Sequence, residues 1–246
     1  GEHRSRWLVL VYLAFATHAL LDSCTAYGTQ IFWPISNTLV AWSTIFIIDP
    51  LYTLPLLTGV IAAMLMSRET DRGQLANRIG LIVSSLYLSW TMVARQVVDG
   101  RFEAEIQSQN IPHNKVFITP APFNSILWRA VVMDDEGYYE AYYSVMDETG
   151  DIRFNHFPSN EDLLNGIENE WSVQRLQWFS RGIYSVTRMQ DDIIISDLRM
   201  GVEPNYVFRF KVGEISNPHA RPSVPRLLVP VRDLSKLPLL WVRIWD

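Results

Sequence analysis

Between residues 7 and 67 the chain carries only two formal charges, Asp22 and Asp49, in a stretch that is otherwise apolar and rich in aromatic residues. Asp22 follows His18 by four residues inside the run WLVLVYLAFATHALLD. A charged side chain at the centre of a bilayer costs roughly 2.5–3.5 kcal/mol on insertion scales, so an ionisable residue in such a run is a functional candidate by default. On a helix of 3.6 residues per turn, positions i and i+4 share a face, which lets His18 and Asp22 reach a common point. One imidazole beside one carboxylate is half of a metal or acid–base site.

The apolar stretch resolves into three expected spans. Residues 7–22 form the first, short for a bilayer of about 30 Å unless its ends lie in the interface. Residues 45–66 form the second, with Trp42 placed as an interfacial anchor. Its helix start is marked by Asp49-Pro50, because Asp is a favoured N-cap and Pro a favoured first helical residue. Residues 79–98 form the third, interrupted only by small polar residues until Arg95. Arg4 and Arg6 precede the first span, and Arg68, Arg72 and Arg78 separate the second from the third, whereas residues 23–44 hold no basic residue. The positive-inside rule then puts the N-terminus and the second loop in the cytoplasm. The loop 23–44 and everything after the third span face outward. The ends of spans one and two that carry His18, Asp22 and Asp49 thus lie at one membrane face, where three ligands from two antiparallel helices could converge as they do in bundle-type metal sites.

After Asp99 the pattern changes. Of the 246 residues, the first hundred hold six basic and six acidic ones, and the remainder holds fifteen and twenty, so the net charge of −5 belongs to the second part. That mixed, mildly acidic surface offers no basic stripe, which argues against nucleic acid as a partner. The single cysteine, Cys24, cannot form an internal disulfide. RFEAEIQSQNIPHNK reads as a short amphipathic helix and turn. SILWRAVVM, GYYEAYYSVM, IRFNHF, RLQWFS, IYSVTRM, DIIISDL and NYVFRFKVGEI read as strands divided by turn compositions such as DDEG and DETGD, with NEDLLNGIENEW helical among them. The expectation is an α-helical membrane domain over residues 1–100, followed over 101–246 by a soluble α+β domain. Its sheet is mostly antiparallel, with one apolar and one wet face. The proline-rich NPHARPSVPRLLVP reads as an extended arm over the surface.

Each candidate residue has a plainer reading. His18 and Asp22 also suit a buried polar pair that pins helices, and Asp49 is sufficiently explained as a cap. His3, His113, His156 and His219 stand alone, where a surface or satisfied histidine is the commoner case. Trp128-Arg129, residues 179–182 and Asp197-Leu198-Arg199 could line a groove, or their charges could serve structural ion pairs. The P-loop, the dinucleotide glycine fingerprint, the nucleophile-elbow serine and paired CxxC motifs are absent from the sequence.

THALLDSCTAYGTQIFWPIS followed by IFIIDPLYTLPLL closely resembles the YdjM-like family of bacterial inner-membrane metal-dependent hydrolases. Three motifs carry the resemblance: a His-x-x-x-Asp helix, then TxYGTxxxWP, then an Ile-Asp-Pro-Leu-(Tyr/Phe)-Thr helix start. It covers residues 7 to about 66, and longer members look similar through TPAPFNSILWR and DLRMGVEPNYVFRF. The family pattern also implies an upstream PDxDH-like motif and a His-Arg-Gly-x-Thr-His motif, neither of which stands here. The expectation is an N-terminally truncated chain with an incomplete site. The resemblance implies a multi-pass protein of the bacterial inner membrane that uses a divalent metal, with His18 and Asp22 as ligands and Asp49 as a third ligand or an orienting group. Mixed oxygen and imidazole donors suit Zn, Mn or Fe better than copper. Membrane lipid, or a lipid-linked ester, is the expected substrate class. The rival expectation is a non-catalytic membrane protein whose C-terminal domain binds a partner in the envelope.

Overall fold

A computed structural model describes residues 2–66, 71–147, 150–229 and 237–245. It divides into two compact units, one of residues 1–99 with 119–127, the other of residues 100–118 with 128–246.

The first unit is built on α1 (Glu2–Ser23), α2 (Pro50–Leu65) and the longer part of α3 (Arg72–Ser108). Asp49 caps α2 in extended conformation, and Pro50 opens the helix as the sequence suggested. Among the described residues α3 is the one helix long and apolar enough to cross a membrane, and α2 is a shorter apolar helix of 16 residues. The expected second span is therefore helical only after Asp49, because the cap stops the helix from extending back through residues 45–48. Arg68 lies outside the described residues. Small residues set the packing of α2 on α3. A Cβ at Gly80 would run into the Pro55 carbonyl, and one at Gly59 would come within 3.0 Å of the Ala76 carbonyl and Asn77 Cα. Close approach through small residues is how apolar helices gain contact where lipid removes the hydrophobic drive between them.

Two four-stranded sheets follow, with all but the ends of β1 and β2 belonging to the second unit. The first runs in the order β1 (Lys115–Pro120), β2 (Leu127–Met133), β3 (Gly137–Ser144), β4 (Asn155–Pro158). The second runs β5 (Tyr184–Met189), β6 (Asp192–Val202), β7 (Asn205–Glu214), β8 (Arg221–Leu227), each neighbour antiparallel. Between β4 and β5 lie a 3-10 turn (Glu161–Leu164) and α4 (Trp171–Ser180), and α5 (Leu237–Val242) follows β8.

Three local readings change. RLQWFS is helical, not a strand, because it belongs to α4, whose buried Val173 and Ser180 lie seven residues apart on one face and whose end is fixed by Arg181 in the left-handed region, φ 57°. The segment read as helix before it is a single 3-10 turn ending at Asn165. The proline-rich stretch is extended, but as a strand and not an arm laid over the surface: residues 221–227 pair with the edge of β7. Pro222 and Pro225 remove amide donors from that edge strand, which discourages further pairing.

The expected wet face is also missing from the inner strands, since every residue of β2 is buried. Val131, Met133 and Tyr138 of the first sheet share a core with Leu198 and Tyr206 of the second. The opposite side of the second sheet, through Ile193, Ile195 and Val212, packs on Val173 of α4 and on Leu164 and Ile167. Alternation along β6 therefore feeds two cores, so its run of Ile reads as continuous apolarity.

Candidate functional site

The end of α1 brings His18 and Asp22 together. Nε2 of His18 lies 3.5 Å from an Asp22 carboxylate oxygen, as the i, i+4 spacing requires, and the two side chains are 75% and 44% exposed. The helix stops immediately afterwards. Ser23 Oγ donates to the Ala19 carbonyl at 2.9 Å, and Thr25 Oγ1 donates to the Asp22 carbonyl at 2.7 Å.

The loop from α1 to α2 then folds back on the helix end. Trp42 N–H donates to the Ser23 carbonyl at 2.7 Å, and Thr44 N–H donates to the Cys24 carbonyl at 2.8 Å. Thr29 and Val40 form an isolated antiparallel bridge. Gly28 makes this closure possible: its φ is +67°, and a Cβ there would overlap the Val40 carbonyl. The glycine of the TAYGTQ motif therefore has a backbone reason for its identity.

Asp49 is placed differently from the pair. It is 1% exposed, and both carboxylate oxygens are engaged. Oδ1 accepts from the Leu51 amide at 2.9 Å, and Oδ2 accepts from the Tyr87 hydroxyl of α3 at 2.7 Å. The Tyr87 oxygen accepts in turn from Ser125 Oγ at 2.9 Å. Ser125 sits in the 119–127 segment that groups with the helices, next to an Asn124 turn whose side chain accepts from the amides of Ile126 and Leu127 at 2.9 and 2.8 Å. Phe123 packs edge-on against Phe46 at 5.5 Å. Sequence reasoning missed Tyr87 and Ser125, which lie 38 and 76 positions from Asp49 and carry no local signal.

Two hollows flank these residues. One, of about 510 Å³, lies between α2 and α3 and is lined by apolar side chains including Leu54, Ile79 and Val83. The other, of about 490 Å³, is lined by Trp42, Met92, Arg95, Gln96 and Asp99 among others. Arg95 Nε pairs with Asp99 at 2.6 Å, and its Nη1 donates to the Trp42 and Ser43 carbonyls at 3.2 Å each. Arg95, where the small polar interruptions of the third expected span give way to charge, is thus a loop clamp.

In the second unit the charged candidates form ion pairs. Arg129 donates to Glu140 at 3.0 and 2.6 Å, to the Leu198 carbonyl at 2.7 Å and to the Tyr206 hydroxyl at 3.1 Å. Burial alone would lower the Arg129 pKa, and adjacent Glu140 outweighs it and holds it above its ordinary value. Arg199 pairs with Asp197 at 2.6 Å, both nearly fully buried. His156 lies 3.2 Å from an Asp134 oxygen. These contacts tie strands and turns together.

Among the described residues, no group of three or more His, Cys, Asp or Glu side chains is gathered as a metal would need. His18 and Asp22 supply donors of suitable kind, but only two, where zinc takes three or four protein ligands. Asp49 does not join them in such a group.

What this defines is a largely apolar helical unit followed along the chain by a two-sheet α+β unit. Residues 2–98 match the family model of the YdjM inner membrane protein, so the resemblance read from the His18–Asp22, TAYGT and IDPLYT motifs holds across the helical part. No curated protein and no solved structure matches the chain.

Proposed function

We propose that the chain is a multi-pass inner-membrane protein of hydrolase type, with His18 and Asp22 as part of the ligand set of a divalent cation. The observation behind this is the His–Asp pair itself, held side by side in the exposed and otherwise apolar stretch of α1 that begins at Trp7. In lipid such a pair is costly unless further polar groups complete it. The two residues fit a hard or borderline cation as a half-set, through an imidazole nitrogen and carboxylate oxygens. The remaining donors would come from outside the described residues. A bound divalent ion would lower the pKa of its water to about 7 and so supply hydroxide at neutral pH. His18 and Asp22 would hold that ion at the outer face. Asp49, fully engaged by Leu51 and Tyr87, would set the start of α2 rather than ligate. Placement at the bilayer makes a lipid or lipid-linked ester the substrate class. Three spans, with α1 and α2 reaching the surface through their ends, and an outward second unit complete the reading.

Metal analysis of the native protein purified in detergent tests it. His18→Ala and Asp22→Asn should each abolish metal retention with the fold intact, a larger effect than the 10–100-fold typical of losing an outer ligand-orienting partner. The second reading is a non-catalytic protein whose second unit binds an envelope partner. Unchanged metal content in both variants would leave that reading alone standing.

A further inference from the structure

Resting on the membrane reading above, we propose that Trp241, Val242 and Trp245 form an aromatic anchor that seats the second unit in the interface of the same bilayer that α3 leaves.

The apolar part of α3 ends at Asp99, and its next turns enter the second unit. Phe102 is fully buried there, edge-on to Tyr143 and Phe154 at 6.2 and 6.4 Å. Arg101 donates to the Gly150 carbonyl at 2.6 Å. The entry point of α3 is therefore the C-terminal end of β3 and the segment around Gly150.

The end of the chain is tied to the same place. Arg243 donates to both Asp147 oxygens at 2.9 and 2.8 Å and to the Tyr142 carbonyl at 3.4 Å. Ser144 Oγ donates to the Ile244 carbonyl at 2.9 Å, and Ile244 is buried. With that residue plugged in, its neighbours are left outside: Trp241 is 47% exposed, Val242 54% and Trp245 71%.

Two exposed indoles and a valine on a pinned segment have the chemistry of a bilayer interface. Indole combines an apolar body with an N–H that stays hydrated, and tryptophan concentrates at headgroup level for that reason. The segment sits at the end of the second unit that receives the last turns of α3, and the bilayer proposed for the apolar part of that helix is the phase that would take it. Arg243 is committed to Asp147, so the anchor works through aromatic burial and not through attraction to anionic lipid.

The test uses the full chain in lipid nanodiscs. Emission from Trp245 is taken as the difference between the parent and Trp245→Phe, and Trp90→Phe reports the α3 span in the same way. Lipids brominated near the headgroup end of the acyl chain should remove most of the Trp245 difference, aqueous iodide should leave it, and neutral and anionic bilayers should behave alike. Quenching by iodide alone would show indole in water and overturn the anchor. Shielding from both quenchers would show a protein cover, a second copy or a partner, and would overturn it equally. If the Trp90 difference is quenched by deeply placed bromine, the membrane reading stands whatever Trp245 does. If it is not, both fall.

Discussion

At Asp49 a single carboxylate does two jobs that could be mistaken for ligation, capping α2 and accepting from Tyr87. Asn caps about as well as Asp but has a single acceptor oxygen, so it keeps the bond from the Leu51 amide and loses the one from Tyr87. Asp49→Asn should therefore lower the Tm of the detergent-solubilised protein less than Asp49→Ala does. Asp49→Ala should cost about 1–3 kcal/mol, the lost cap plus an unpaired buried hydroxyl. Thermal unfolding followed by circular dichroism separates the two, and loss of metal from a stably folded Asp49→Asn protein would make Asp49 a ligand after all. Asp147 gives a pH-dependent case. Burial pushes its pKa up, but hydrogen bonds from Arg243 and the Ser144 amide outweigh it and hold the carboxyl below its ordinary value. A depressed folded pKa gives stability that is present above the unfolded pKa of about 3.9 and is lost as pH falls through the folded one. Limited proteolysis should therefore show the C-terminal segment loosening only in strong acid. Asp147→Asn should loosen it at neutral pH and flatten the profile. A parent profile already flat down to acid unfolding would contradict the pairing.

The α2–α3 pair tests packing at the scale of elements. Gly80 faces the Pro55 carbonyl so closely that a methyl group there must move one helix backbone against the other. Overpacking of this kind typically costs about 1–3 kcal/mol. Gly80→Ala should lower the Tm of the purified protein, whereas Gly100→Ala, with open space around its missing Cβ, should not. Equal behaviour of the two would mean that α2 and α3 do not pack as described. The motif at the start of α2 was legible because a cap is local: Asp49-Pro50 acts within a few residues, whereas Gly28 answers to the Val40 carbonyl twelve positions on. RLQWFS misled because aromatic residues suit a strand and a helix face equally, and only the core beneath α4 chose between them.

For the whole molecule, the arginines of the first part carry the orientation. If Arg4, Arg6, Arg72 and Arg78 face the cytoplasm, a reporter fused after Asp246 should be active only on the outer side. Activity confined to the cytoplasm would reverse the topology and move His18 and Asp22 to the inner face. The second unit is indifferent to this choice. Arg129 of β2, Glu140 of β3 and Tyr206 of β7 are satisfied within its own core and join its two sheets.

By itself the sequence determined where charge is absent, where α2 starts, that a largely antiparallel α+β part follows the apolar helices, and that His18 and Asp22 share a face. All of these follow from short-range periodicity, capping and composition. Only the tertiary structure decided that Asp49 is saturated by Tyr87, that Ser125 joins it from a distant hairpin, that the strands split into two sheets, and that the chain end returns to the entry point of α3. These contacts join residues tens of positions apart, and a long-range pair leaves no periodic trace in the chain: its partners are selected by the shape of the space that the rest of the fold leaves.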